Sequence, residues 1–150
     1  MVSNSRTRKR AHHRPPSNLN SISRIRKYVT KHAIVIFTKS YCPCCREAVH
    51  TLSTYGKKYN TSIQVVELDT LQPSSVGHLL HKRLIQMTGR KTVPNVFIGG
   101  VAIGGCDEVK ALDNSQKLGW CIQKAVKKQG AKRMSTRVNR LTKRRSKRKR

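Results

Sequence analysis

Hydrophobic positions recur with helical spacing from Ser21 onward, where Ile22, Ile25 and Val29 stand on an otherwise polar background. That pattern predicts an amphipathic helix lying on a core. Residues 33–38 read Ala-Ile-Val-Ile-Phe-Thr, a short unbroken run rich in β-branched side chains. Such a run predicts a central strand covered on both faces. After a cysteine cluster, Ala48, Leu52, Tyr55 and Tyr59 follow i, i+4, i+7, i+11 spacing, so a helix is expected over 43–59, with Asn60 at its end. Residues 62–68 read as a second strand. A strand, helix, strand series of this length implies a right-handed parallel crossover.

Further on, Pro73, Ser74 and Ser75 precede Val76, Leu79, Leu80, Leu84 and Met87, and Gly89 follows, which predicts a third helix. Residues 94–98 and 101–103 read as strands joined by Gly99-Gly100, a dipeptide suited to the positive φ angles of a two-residue hairpin, so the pair should be antiparallel. A last helix carries Leu118, Cys121, Ile122, Ala125 and Val126 on one face before Gly130. No internal repeat is visible. The pattern describes one α/β domain over 21–129.

Charge divides the chain in the same places. Of its 150 residues, 1–30 carry eight lysines and arginines and no acid, 118–150 carry fourteen and no acid, and the middle holds all six acids; the formal net charge is +27. Flanks this basic and poor in large apolar side chains do not bury enough surface to offset the entropy of ordering. The expectation is a disordered arm over 1–20 and a disordered tail over 130–150. No apolar stretch of secretory-signal type stands at the N-terminus, and no run of about 18 apolar residues is present to span a bilayer. The chain is therefore read as soluble.

Three of the five cysteines fall within Cys42-Pro43-Cys44-Cys45. This is not the spaced, even-numbered framework of a small secreted protein, and it points to a reducing compartment. Pro43 suits the first position of the helix, which leaves Cys42 at the helix tip and Cys45 one turn on, on the same face. Free N–H groups, the positive end of the helix dipole and the nearby Lys39 all favour negative charge on the Cys42 sulfur, and the thiolate is the attacking species. Cys42 is thus the candidate nucleophile and Cys45 the candidate resolving thiol. A structural zinc site would want two spaced ligand pairs, and Cys106 and Cys121 do not form the second, so no metal is expected. Cys121 fits an apolar helix face as a small hydrophobe.

Three segments, in order, then resemble signatures of the glutaredoxin family: Phe37-Thr38-Lys39-Ser40-Tyr41-Cys42-Pro43-Cys44-Cys45, Thr88-Gly89-Arg90-Lys91-Thr92-Val93-Pro94-Asn95-Val96-Phe97-Ile98-Gly99-Gly100, and Ile103-Gly104-Gly105-Cys106-Asp107-Glu108. The resemblance covers about residues 21–129. It implies a thioredoxin-like fold with a four-stranded mixed sheet in the order 2-1-3-4, flanked by helices. It also implies a cis bond before Pro94, with Thr92, Val93 and Pro94 facing the redox cysteines so that an extended tripeptide pairs with the Val93 backbone. Glutathione is the implied co-substrate. Backbone N–H groups at Gly105 and Cys106, with the Asp107 side chain, would meet the carboxylate and ammonium of its γ-glutamyl end. Lys39, with Arg90 or Lys91, would hold the glycine carboxylate, and His81 stands where related proteins often carry a glutamine that contacts glutathione. Arg90 and Lys91 read equally well as a solvated turn, and His81 as a surface histidine.

The chain departs from the family where Cys44 replaces the common tyrosine. A spacing of two keeps Cys44 off the Cys42 face, so it is read as an exposed substitution rather than an extra exchange thiol. The implied activity is reduction of glutathione mixed disulfides and disulfide-bonded proteins. An iron-sulfur carrier holding [2Fe-2S] through Cys42 and glutathione is the alternative, disfavoured because the cluster-binding subgroup usually carries Gly-Phe-Ser after the first cysteine. The other alternative is a nucleic-acid-condensing protein with a vestigial redox domain. The runs at 6–10 and 143–150 hold no aromatic residue to stack on bases, so any nucleic-acid association would be electrostatic and nonspecific. They also suit nuclear targeting. A cytoplasmic or nuclear location is expected ahead of a mitochondrial one, because Pro15-Pro16 interrupts the N-terminal segment and a presequence would not account for the basic C-terminus.

Overall fold

The computed structural model describes residues 18–147. Five helices and four strands follow in the order α1 (Asn18–Lys31), β1 (Ile34–Thr38), α2 (Pro43–Lys58), β2 (Ile63–Glu67), α3 (Ser74–Thr88), β3 (Asn95–Ile98), β4 (Val101–Gly104), α4 (Cys106–Asn114) and α5 (Lys117–Lys147). The sheet order is β2-β1-β3-β4. β1 pairs parallel with β2, Ile34 opposite Ile63, and antiparallel with β3, Ile34 opposite Ile98. This is the four-stranded mixed sheet of the thioredoxin-like class.

The unbroken apolar run of β1 has a direct explanation. Strand side chains alternate in direction, and here both directions lead into a core. Ile34 and Ile36 join Leu52, Val96, Ile98, Val109, Leu118 and Ile122 on the face covered by α2, α4 and α5. Val35 and Phe37 join Ile25, Val66, Leu80, Leu84 and Phe97 on the face covered by α1 and α3. Phe37 meets Tyr28 and Phe97 edge-on, with ring centroids 6.0 and 5.8 Å away. Each such pair adds about 0.5–1.5 kcal/mol beyond simple burial. All five β1 residues are buried, so the strand anchors whatever follows it.

Gly99 and Gly100 form the β3-β4 turn with φ of +61° and +85°, the left-handed values that the hairpin requires. The peptide bonds before Pro73 and Pro94 are cis.

Two boundaries differ from the sequence expectation. Helix α1 starts at Asn18, so residues 18–20 belong to it, and the remainder of the expected N-terminal arm lies outside the described residues. More substantially, residues 130–147, expected as a disordered tail, continue α5 as helix. The segment lacks proline, and lysine, arginine, alanine and methionine are good helix formers. Gly130 alone costs only about 1 kcal/mol, less than the already nucleated helix loses by stopping there. Residues 148–150 lie outside the described residues.

α3 approaches the end of β2 closely enough that Gly77 has no room for a side chain: a Cβ there would stand 1.7 Å from the Leu68 carbonyl oxygen. Alanine at Gly77 would gain up to about 1 kcal/mol of helix propensity, but the clash is with backbone and forces the helix away. Gly77→Ala is expected to lower unfolding stability by a net 1–3 kcal/mol, roughly the range for overpacking, read from the denaturant midpoint. An unchanged midpoint would show that α3 has slack against β2.

Candidate active site

β1 delivers the chain to the site through a short, pinned loop. The Ser40 N–H donates to both carboxylate oxygens of Asp69, at 3.0 and 3.1 Å, and the Ser40 hydroxyl donates to the same group. These bonds, with the Lys39 charge adding to them, hold the Asp69 carboxyl below its usual range. The Cys42 N–H donates to the Lys39 carbonyl at 3.1 Å, and the Lys39 ammonium lies 5.9 Å from the centre of the Tyr41 ring. Cys42 then caps α2 in an extended conformation, with Pro43 in the first turn. Its sulfur accepts the Cys45 N–H at 3.2 Å, taking the place that a serine or aspartate oxygen fills at other helix starts. On the other side, its thiol is 3.8 Å from the Val93 carbonyl in the cis-proline loop. Cys42 is half-buried, open to one side.

All five cysteines are free thiols. Cys45 is buried, and that burial, followed by its hydrogen bond with Cys42, pushes its thiol up to about 12. Cys121 is partly buried and packs against the core under α5, as an apolar side chain would. Cys44 is exposed at the start of α2, and Cys106 is buried at the start of α4. The Cys106 thiol lies 3.7 Å from a Glu47 carboxylate oxygen. Burial pushes Cys106 up to about 11; the Lys110 charge opposes this and the Glu47 charge reinforces it. Glu47 is paired with Lys110 at 2.9 Å.

The remaining sequence candidates surround Cys42 unevenly. Thr92 is exposed, Val93 half-buried and Pro94 buried along the loop facing the sulfur. His81, on α3, feels the Lys39 charge and the Lys91 backbone, so these three belong to one corner of the site. Its Nε2 is buried without a partner, and burial, then Lys39, hold the imidazole below its usual value. Gly105, Cys106 and the exposed Asp107 lie at the N-terminal end of α4. Arg90, in contrast, turns to Glu108, with which it forms an ion pair, and packs over Gly105.

Three supports of the site were not singled out from the sequence: Asp69, Glu108 and the Glu47-Lys110 pair. Glu108 had a readable signal. It stands three residues after the helix cap, where a carboxylate reaches back to the cap N–H, and it accepts from Gly105 N–H at 2.8 Å. Asp69 and Glu47 had none, because their partners are 29 and 59 residues away.

A cysteine sulfur at a helix tip, a second thiol one turn on and a cis-proline loop beside them, carried on this mixed sheet, define a thiol-disulfide oxidoreductase of the thioredoxin fold. Comparison with known proteins narrows the class. The family profile described as Glutaredoxin matches residues 34–103. A glutaredoxin of Ricinus communis is 41% identical over 98 residues, 65% of this chain and 89% of that protein. Glutaredoxin-C2 of Arabidopsis thaliana is 39% identical over 98 residues, 65% of this chain and 82% of its own length. Among solved structures, a buckwheat glutaredoxin-glutathione complex superposes with a TM-score of 0.62 at 30% identity, covering 72% of this chain and 92% of that one. The chain belongs to the glutaredoxin family and is an oxidoreductase of that type.

The thiols should differ sharply in reactivity. With its thiol at about 12, Cys45 holds at pH 7.5 a thiolate fraction of roughly 1 in 30,000, and attack on iodoacetamide requires thiolate. In the reduced protein, carboxamidomethylation followed by mass spectrometry is expected to mark Cys42 and Cys44 well before Cys45 and Cys106. Labelling of Cys45 at the rate of Cys44 would contradict the burial described above.

Proposed function

We propose that the chain reduces glutathione mixed disulfides and protein disulfides through Cys42. The observation that carries this reading is the placement of the Cys42 sulfur, which accepts the Cys45 N–H at the tip of α2 and faces the Val93 backbone. The Cys42 thiolate attacks the glutathione sulfur of a mixed disulfide, and the substrate thiolate leaves. A second glutathione thiolate then attacks the glutathione sulfur held on Cys42, releasing oxidised glutathione and restoring the Cys42 thiolate. With a protein disulfide, Cys45 instead attacks Cys42 in the mixed disulfide, giving a Cys42-Cys45 disulfide and the second substrate thiolate. Two molecules of glutathione reduce that disulfide.

Glutathione would lie along Thr92, Val93 and Pro94 in an extended form, pairing with the Val93 backbone as an added strand does. Its glycine carboxylate would meet Lys39, with Lys91 at the margin and the unpartnered His81 nitrogen within the same corner. The Gly105 N–H, expected from the sequence to receive the γ-glutamyl carboxylate, is taken by Glu108, so that carboxylate would meet the N–H of Cys106 at the start of α4, where the helix dipole favours an anion, and Asp107 would face the ammonium. Arg90 contributes indirectly, by fixing Glu108 and the start of α4. Among the described residues no group of three or more His, Cys, Asp or Glu is placed to hold a metal.

A second reading concerns the basic flanks. Lys31 on α1 and Lys132, Arg133, Arg137 and Arg140 on α5 line one groove of about 390 Å³, with no acid among its lining residues. Nonspecific association with nucleic acid is the function this surface supports, and the denser terminal runs would add to it or serve nuclear targeting. No described helix is long and apolar enough to cross a membrane.

In a glutathione-coupled assay with a glutathionylated peptide, Cys42→Ser is expected to lose activity by about two orders of magnitude or more. Cys45→Ser should keep reduction of that peptide and lose reduction of a protein disulfide. Full activity in Cys42→Ser would remove the assigned nucleophile. For the basic surface, five phosphate contacts give a salt slope of about −4.5, so affinity for a random duplex should fall at least about 500-fold between 50 and 200 mM salt. Arg133→Ala with Arg137→Ala should flatten that slope by about 2. Binding insensitive to salt, or a slope unmoved by the substitutions, would count against the groove.

A further inference from the structure

The cysteine that departs from the family motif is not isolated. Cys44 projects from the first turn of α2 away from the Cys42-Cys45 face, and Glu47, three residues on and so on the same side of that helix, meets Cys106 at the start of α4, which brings the two thiols to one side of the α2-α4 junction. They are 62 positions apart in sequence, on separate helices, and neither takes part in the exchange at Cys42 described above. Beside them Glu47 places a carboxylate oxygen 3.7 Å from the Cys106 sulfur, and Lys110, one turn along α4, holds that carboxylate at 2.9 Å. The four side chains make a compact site: an exposed thiol, a buried thiol, a carboxylate that accepts the buried thiol's hydrogen bond and the cation that orients it.

We propose that Cys44 and Cys106 form a second redox-active dithiol, which oxidised glutathione converts to a disulfide bridging α2 and α4. This rests on the glutathione-linked reading only for the identity of the oxidant. Cys44, open to solvent, attacks one sulfur of oxidised glutathione as a thiolate, expelling one glutathione thiolate and forming a Cys44-glutathione mixed disulfide. Cys106 loses its proton to solvent and attacks the Cys44 sulfur as a thiolate, expelling the second glutathione as its thiolate, which takes up a proton in turn. The protein loses two hydrogens and one oxidised glutathione becomes two reduced molecules, so atoms and electrons balance. Proximity favours the second step, since Cys106 meets the face of α2 that carries Cys44.

The bridge would tie the first turn of α2 to the first turn of α4, next to the backbone N–H proposed to receive the γ-glutamyl carboxylate. Oxidation at this pair would therefore act on the glutathione groove without consuming Cys42. Lys110 and Glu47 are positioning residues here, since they act through the Cys106 proton.

Trypsin leaves Cys42, Cys44 and Cys45 on one peptide, so the pairing is read in the full chain carrying Cys42→Ser and Cys45→Ala, which retains Cys44, Cys106 and Cys121. After incubation with oxidised glutathione, quenching and non-reducing digestion, the expected product joins peptide 40–46 to peptide 92–110, with Cys121 recovered as a free or glutathionylated thiol. Recovery of Cys44 mainly as its glutathione mixed disulfide, or joined to Cys121, would overturn the proposal. A second measurement needs no change at buried Cys45. The native chain under the same oxidant should retain one of its five thiols, and Cys44→Ser, altered at an exposed position, should retain two, Cys106 and Cys121. Equal loss of Cys106 in the native chain and in Cys44→Ser would also overturn it. Loss of turnover in the coupled assay with the cross-link still forming would refute the Cys42 reading and leave this one standing.

Discussion

The site depends on one strand being covered on both sides. β1 is buried along its whole length, paired with β2 and β3, and its alternate side chains enter two separate cores. A strand held in that way has no freedom to slide, because a shift of one residue would exchange the contents of the two cores. Its end is therefore a fixed point, and Cys42 follows it by only four residues. The β3 strand, antiparallel to β1, starts beside the same end, which is why Val93 and Pro94 meet the cysteine without any long loop to carry them. Two neighbouring strands thus bring nucleophile and substrate-facing backbone together before any side-chain interaction is counted.

At that fixed point the chemistry comes from the end of a helix. The first N–H groups of α2 have no partners within the helix, and the Cys45 N–H uses the Cys42 sulfur as its acceptor. The bond supports a negatively charged sulfur better than a neutral one, since acceptors gain strength with charge. The same geometry treats the second thiol in the opposite way. One turn on, Cys45 lies under the helix, and burial suppresses its ionisation. A difference of three residues therefore separates an attacking sulfur from one that waits for a disulfide to be presented to it.

Much of this was legible in the chain. The alternation within residues 33–38, the diglycine turn and the Cys-Pro-Cys-Cys cluster each express a local rule, and the β1, β3-β4 and α2 geometries follow them. The sheet order and the thioredoxin-like fold came instead from the resemblance to a family. What was not legible depends on contacts across the fold. Ser40 with Asp69, Arg90 with Glu108, and Cys44 with Cys106 pair residues whose proximity exists only once α2, α3 and α4 are packed on the sheet. The reading of Cys44 from spacing was right about the face it avoids and silent about the helix it meets. The C-terminal segment shows another limit. Its charge argues against a packed core, and residues 130–140 are indeed exposed, but charge alone does not forbid helix when α5 is already nucleated on Leu118 and Ile122.

The distribution of charge then has a structural sense. The six acids of the chain are confined to its middle, and five of them carry assigned work there: Asp69 and Glu108 fix the approaches to the site, Asp113 accepts from Tyr55 at 2.6 Å between α2 and α4, Glu47 faces Cys106, and Asp107 opens α4. Acids scattered along α5 would have paired with its lysines and arginines and cancelled the field. Their absence leaves the α1-α5 groove without an acid in its lining, and nearby His32 has its protonated form disfavoured by burial first and by the Lys31 and Arg133 charges second. Acidic residues thus serve the fold and the redox end, and none lies among the lining residues of the α1-α5 groove. Helix α5 therefore carries both sides of this division: its first turns close the core through Leu118 and Ile122, and its later turns line the basic groove.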